Sequence, residues 1–129
     1  MSLKLTAATA GAMAAALATQ IGSGASIEIR SGAKPATPET AASGTLLCTI
    51  PITGSFTASG NTITAADPAA ASPAASGTAG HFRLKTSGGT AILDGDVGTS
   101  GADLNLGSTT ITTGVPVDLG APSIAVPVA

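Results

Sequence analysis

Few residues in this chain could do chemistry, and their spacing limits what that chemistry could be. The densest group is Asp94-Gly95-Asp96, with Asp103 nearby. Two carboxylates either side of a glycine could begin a calcium loop, because Ca2+ collects oxygen ligands. The EF-hand pattern fails, since Gly98 stands where a third oxygen ligand belongs. Asp and Gly are also ordinary turn residues, so the segment is expected to be a turn at the end of a hairpin, with calcium on Asp94, Asp96 and Asp103 as the alternative. The single histidine, His81, has no companion ligand motif, whereas structural zinc needs a full Cys/His set; it is expected at an exposed strand end. Gly98-Thr99-Ser100-Gly101 loosely resembles a nucleophile elbow but lacks the final glycine in register. No phosphate-cradling loop or dinucleotide fingerprint is present. Cys48 is the only cysteine and cannot form an internal disulfide. Its context, Leu46-Leu47-Cys48-Thr49-Ile50, marks it as a small buried hydrophobe, with a reactive or intermolecular thiol as the alternative. No catalytic, cofactor-binding or metal residue is assigned, and no cofactor is expected.

The wider composition agrees. The 129 residues include no Trp, no Tyr and two Phe, and 9% are charged. Mean hydropathy is nonetheless +0.45. Large aromatics bury the most area, and here only Phe56 and Phe82 are available. A thin core of Ala, Val, Ile and Leu must offset about 1–2 kcal/mol of backbone entropy per residue, which favours oligomerisation or docking on a larger assembly. The basic residues Lys4, Arg30, Lys34, Arg83 and Lys85 form no run and no aromatic-interleaved face, so nucleic-acid binding is not expected. The Ala-rich N-terminus is interrupted by Thr6, Thr9, Gly11 and Thr19 and is not read as a cleaved signal peptide. No stretch is apolar enough to predict a membrane span.

These residues must be positioned by short elements. The segment from about Thr6 to Gln20 reads as a helix, because Ala is the best helix former. Thr6 or Thr9 would cap it, Gly22-Ser23-Gly24 would end it, and Leu5, Thr9, Met13, Leu17 and Ile21 would form its apolar stripe. Ser26-Ile27-Glu28-Ile29-Arg30 alternates with period two and predicts a strand. A loop with Pro35 and Pro38 follows. Gly44 to Ile52 predicts a second strand, which Pro51 ends or places on an edge. Ser55-Phe56-Thr57-Ala58 and Asn61-Thr62-Ile63-Thr64 flank a hairpin turn at Ser59-Gly60. Residues 67–80 read as a long surface loop. His81 to Lys85 and Thr90 to Leu93 form the clearest hairpin, turning at Thr86-Ser87-Gly88-Gly89. Phe82 and Leu84 would share one face, and His81, Arg83 and Lys85 the other. Asp103 to Leu106, Thr109 to Thr112, Val115 to Leu119 and Ser123 to Val126 complete the set. The prediction is a mainly β fold: an antiparallel β-sandwich or barrel-like sheet of about eight short strands with one N-terminal α-helix. Residues 1–24 would be the helical arm and 25–129 the β-domain, with 120–129 an extended C-terminal segment.

Three stretches resemble small proteins encoded among the virion genes of tailed phages and prophages. The first is Ser26-Ile27-Glu28-Ile29-Arg30-Ser31-Gly32-Ala33-Lys34-Pro35-Ala36, followed by Gly44-Thr45-Leu46-Leu47. The second is Gly77-Thr78-Ala79-Gly80-His81-Phe82-Arg83-Leu84. The third runs from Gly95-Asp96-Val97-Gly98-Thr99-Ser100-Gly101-Ala102-Asp103-Leu104-Asn105-Leu106 to Thr109-Thr110-Ile111 and Gly114-Val115-Pro116-Val117. The similarity covers most of the chain, in strand-and-turn signatures that carry no chemistry. His81 departs from the family, which often has an aromatic there.

The resemblance implies a non-enzymatic virion structural protein, made in the bacterial cytoplasm and assembled into the particle. A capsid decoration or cement protein contacting the major capsid protein and its own copies is the first expectation. A tail, collar or head–tail connector component is the alternative. A host-carbohydrate-binding module is the third reading, disfavoured because sugar rings stack on aromatic faces that are scarce here. Neither nucleic acid nor membrane is an expected partner.

Overall fold

The computed structural model describes residues 6–119 and 123–125. The fold is mainly β, with a single N-terminal helix followed by strands in two sheets, one of them curled into a half-barrel. Helix α1 spans Ala7–Ile21. Thr6 caps it, its hydroxyl accepting from the Thr9 backbone N–H at 3.1 Å. Gly22 ends it at φ 68°, donating its N–H to the Ala18 carbonyl. No described helix is long and apolar enough to cross a membrane.

The helix buries only the C-terminal part of the expected stripe, Leu17 and Ile21. Ala10, Ala14 and Ile21 are buried, with Leu17 and Ala18 packed against the core, while Met13 is 49% exposed. Leu5 lies outside the described residues. The reason is close approach. The Cβ position of Gly11 lies 3.2 Å from the Gly60 carbonyl oxygen, so the first half of the helix rests on Ala10, Gly11 and Ala14 and turns Met13 outward.

Nine strands occur among the described residues: β1 Ser26–Ser31, β2 Leu46–Pro51, β3 Thr57–Ser59, β4 Thr62–Thr64, β5 Gly77–Lys85, β6 Ala91–Gly98, β7 Leu104–Asn105, β8 Thr110–Ile111 and β9 Ser123–Ala125. The larger sheet has the order β2-β1-β5-β6-β7, with β8 pairing β5 off that path. The smaller has the order β3-β4-β9. Pro51 does end β2, and β2 does lie on an edge. The hairpins at Gly60 and at 86–90 form as expected, the second closed by the Thr86 N–H on the Thr90 carbonyl.

Four expectations need correction. Residues 67–80 are not all surface loop: β5 begins at Gly77, and Pro68 and Pro73 are buried. The Ala74 N–H donates to the Leu47 carbonyl at 2.7 Å, tying this segment to β2. Val115 to Leu119 is not a strand; Val117 makes only an isolated bridge with Ala71, and Pro116 removes a ladder donor beside it. Asp94-Gly95-Asp96 is not a turn but lies within β6. The sheet is also not wholly antiparallel, because β7 runs parallel to β6, pairing Val97 with Leu104. Of the extended segment 120–129, only β9 falls within the described residues.

Alternation in β1 sends Ile27 and Ile29 into the core, where they meet Ile50, Cys48, Phe82 and Leu84. The core also takes in Ile63 and the buried face of α1. Gly95 makes room for the larger aromatic of this sheet: it pairs with Phe82 across the ladder, and a Cβ on Gly95 would overlap the Phe82 ring. Burying that ring contributes about 1.5–3 kcal/mol.

Candidate functional site

The opposite face of β1, β5 and β6 carries the charged residues. Two cross-strand rows define it. Glu28 pairs with Arg83 and Arg83 with Asp94; Arg30 pairs with His81 and His81 with Asp96. The alternation seen in sequence is correct, with His81, Arg83 and Lys85 opposite Phe82 and Leu84. Both faces of this part of β5 are nevertheless covered.

In the first row, Arg83 and Asp94 form a two-pronged ion pair. Arg83 Nε donates to Asp94 Oδ1 at 2.7 Å and Nη2 to Oδ2 at 2.9 Å. The side chains are 5% and 4% exposed. The fork geometry suits a carboxylate, and the hydrogen bond to Asp94 raises the guanidinium's already high pKa, against the opposing effect of burial. Glu28 turns diagonally instead. Its Oε1 accepts from Arg30 Nη2 at 3.2 Å and its Oε2 faces Lys85 Nζ at 3.2 Å. One carboxylate therefore serves two cations.

In the second row, His81 is 0% exposed, which overturns its expected place at an exposed strand end. Gly32, in the segment after β1, lays its carbonyl oxygen 3.1 Å from His81 Nδ1. A carbonyl only accepts, so Nδ1 carries the proton. Nε2 is buried with no hydrogen-bond partner among the described residues. Gly80 permits this approach, because any Cβ there would collide with the Gly32 backbone. Asp96 points outward, 3.5 Å from Lys34 Nζ. Its backbone N–H donates to Asp103 Oδ2 at 3.0 Å.

The three aspartates thus have separate duties: Asp94 holds Arg83, Asp96 faces Lys34, and Asp103 takes a backbone N–H. Among the described residues no group of three or more His, Cys, Asp or Glu is placed to hold a metal ion. Cys48 is buried, as expected, its Sγ 3.8 Å from the Ala71 carbonyl oxygen. Burial pushes its thiol pKa up, away from the reactive thiolate.

A strap folds over the charged face. Residues 32–44 leave β1 and return to β2, closed at the base by Thr45 N–H on Ser31 Oγ at 2.9 Å and Ser31 N–H on the Thr45 carbonyl at 3.0 Å. Ser43 Oγ donates to the Ala33 carbonyl. Between strap residues 38–42 and residues 89–91, where the hairpin turn enters β6, lies a cleft of about 490 Å3, with Arg30, Arg83 and Lys85 also in its lining. Sequence reading missed this grouping. The alternation on β5 exposed half of it, but only the register between β1 and β5 adds Arg30.

No protein-family model, curated protein or solved structure matches the chain.

Proposed function

We propose that this is a non-enzymatic structural protein of a phage particle, most simply a capsid decoration protein that binds the major capsid protein and further copies of itself. The observation that carries the reading is the direction in which its functional groups face. Cys48 and His81 are buried, Arg83 and Asp94 are bound to each other, and Glu28 is shared between Arg30 and Lys85. These side chains are buried or paired inside the fold. What faces outward suits assembly: helix α1 has no charged residue, and β3, an edge strand, is exposed along its length. Edge strands and apolar helix faces pair readily with other chains. Repetition by symmetry multiplies small contacts into a stable shell. The virion resemblance of 26–36, 77–84 and 95–106 supports the setting.

The test is to locate the protein on its parent particle by cryo-EM or antibody labelling of purified virions. Label over the whole head is the expected result. Label confined to neck or tail would replace the decoration role with a ring or sleeve component, and absence from the particle would overturn the virion reading.

A further inference from the structure

His81 carries the one side-chain polar atom that is buried without a hydrogen-bond partner among the described residues, Nε2. Such atoms are rare in folded proteins, and each calls for a cause. The cause here is the strap. With the Gly32 carbonyl oxygen 3.1 Å from Nδ1, the neutral ring keeps its proton on Nδ1 and its lone pair on Nε2. A second proton has only Nε2 to bind, and the closed strap offers that proton no acceptor. Gly32 follows Ser31, which closes the base of the strap with Thr45, so freeing the Gly32 carbonyl loosens that base. A second tie lies beside the first. Lys34 Nζ is 3.5 Å from Asp96 Oδ2, and Asp96 stands directly across from His81 on β6.

The charges around the ring are already engaged. On β1, Arg30 lies across from His81 and is paired with Glu28. On β5, Arg83 holds Asp94 of β6, and Lys85 faces Glu28. Asp96 turns outward to Lys34 of the strap, and Asp103 accepts the Asp96 backbone N–H. Glu39 lies on the exposed part of the strap.

We propose that His81 is a proton-operated latch: uptake of a second proton on Nε2 releases the strap 32–44, with its base at Ser31 and Thr45, and uncovers the charged face of β1, β5 and β6. An imidazolium under the closed strap would be a buried charge with an unsatisfied N–H, which is strongly disfavoured. Arg30 on the neighbouring strand adds repulsion. Asp96 is the carboxylate across the ladder, and turning it toward the ring breaks its tie to Lys34. Both responses loosen the strap. Above about pH 6.5, the ordinary imidazole value, open and closed forms both hold a neutral ring. Below it the open form takes up the proton and the closed form does not, so closure weakens as pH falls. The latch is independent of the virion reading, and its test needs no particle.

The experiment is NMR on the full chain at about pH 7.5 and pH 5.5 and between them. His81 is the only histidine, so its ring signals are assigned without ambiguity. Protection of the Ser31 and Thr45 amides, corrected for intrinsic exchange, should fall about tenfold toward pH 5.5. Amide shifts of 32–44 should follow the same midpoint as the ring, while the paired Leu84 and Leu93 amides keep their protection. His81→Gln retains a side-chain N–H but cannot take up the proton, and should abolish the pH dependence. Lys34→Met should lower protection of the base about two- to fivefold at both pH values, the range of an exposed ion pair, and leave the pH dependence in place. Lys34 is exposed, so this variant and the ring titration keep the test decisive if His81→Gln fails to fold. A ring that titrates while 32–44 stays unmoved would overturn the latch. So would a ring that takes no proton by pH 5.5, a pH response that survives in His81→Gln, base protection unmoved by Lys34→Met, or loss of Leu84 and Leu93 protection in step with the strap.

Discussion

The large sheet and the helix-capped small sheet hold themselves together by different means. In β1, β5 and β6, long side chains on both faces fix the pairing: isoleucine, leucine and phenylalanine beneath, an ion-paired array above. A register slip of one residue would exchange these faces. In α1, β3 and β4 there is no charge at all, and the fully buried large side chains are Ile21 and Ile63 alone. Fit there depends on atoms being absent, with the Gly11 Cβ position 3.2 Å from the Gly60 carbonyl oxygen and Ala10 and Ala14 buried. The large sheet is specified by what its side chains contact. The small one is specified by how close its backbones come.

That contrast can be broken most forcefully at Asp94. Asp94→Ala leaves the Arg83 guanidinium buried without its counter-ion and should cost about 3–5 kcal/mol, read as a loss of denaturant midpoint. Replacing both partners, as in Arg83→Met with Asp94→Leu, should recover most of the loss. If the single change is as mild as the double, the array does not specify the sheet. The matching blow to the small sheet is Gly11→Leu, which forces α1 off the hairpin and should cost about 1–3 kcal/mol. Hydrogen exchange should then rise in α1, β3 and β4 while β1, β5 and β6 keep their protection; uniform loss would erase the distinction. Thr6→Ala removes the helix cap and should cost about 1 kcal/mol, again localised to α1.

The smallest effect is on pH. Cys48 belongs to the large sheet, and burial raises its folded pKa above the ordinary thiol value of 9.0. Below 9.0 the thiol is protonated in both states and its contribution is fully present. Above that the unfolded chain ionises while the folded one stays protonated, so stability should fall as pH rises toward the folded pKa. Thermal melts between about pH 8 and 10.5 should show a slope that Cys48→Ala flattens. An identical slope in the variant would remove Cys48 as its origin.

Much of the fold was legible because it rests on local rules. Period-two alternation marks β1, Thr6 is a good cap, and Ser59-Gly60 and Gly88-Gly89 mark the two hairpins. The failures have a common cause: a partner distant in sequence overrode local composition. Asp94-Gly95-Asp96 has turn chemistry, yet β5 recruits it as a strand, with Arg83 holding one aspartate and Phe82 requiring the glycine. His81 looks exposed until the strap from Gly32 is laid across it. Met13 belongs to the predicted stripe, but where the helix rests on the Gly60 carbonyl it must present glycine and alanine. The candidate cleft was illegible for the same reason, since Arg30 joins Arg83 and Lys85 only once β1 and β5 are in register.

Strand β5 stands between partners at very different distances along the chain. Its bond to β6 closes over a five-residue turn, residues 86–90, and the Arg83–Asp94 pair spans 11 positions. Its bond to β1 joins Glu28 to Arg83 across more than fifty residues that include the strap, the small-sheet hairpin and 67–76. Closing a long loop costs entropy before its contacts repay it. The β5–β6 hairpin is therefore the expected nucleus of folding, and β1 the late addition. Asp94→Ala should slow folding, whereas Ile29→Ala on β1 should chiefly hasten unfolding. The ion pair that fixes the sheet's register is also the one the chain can form first.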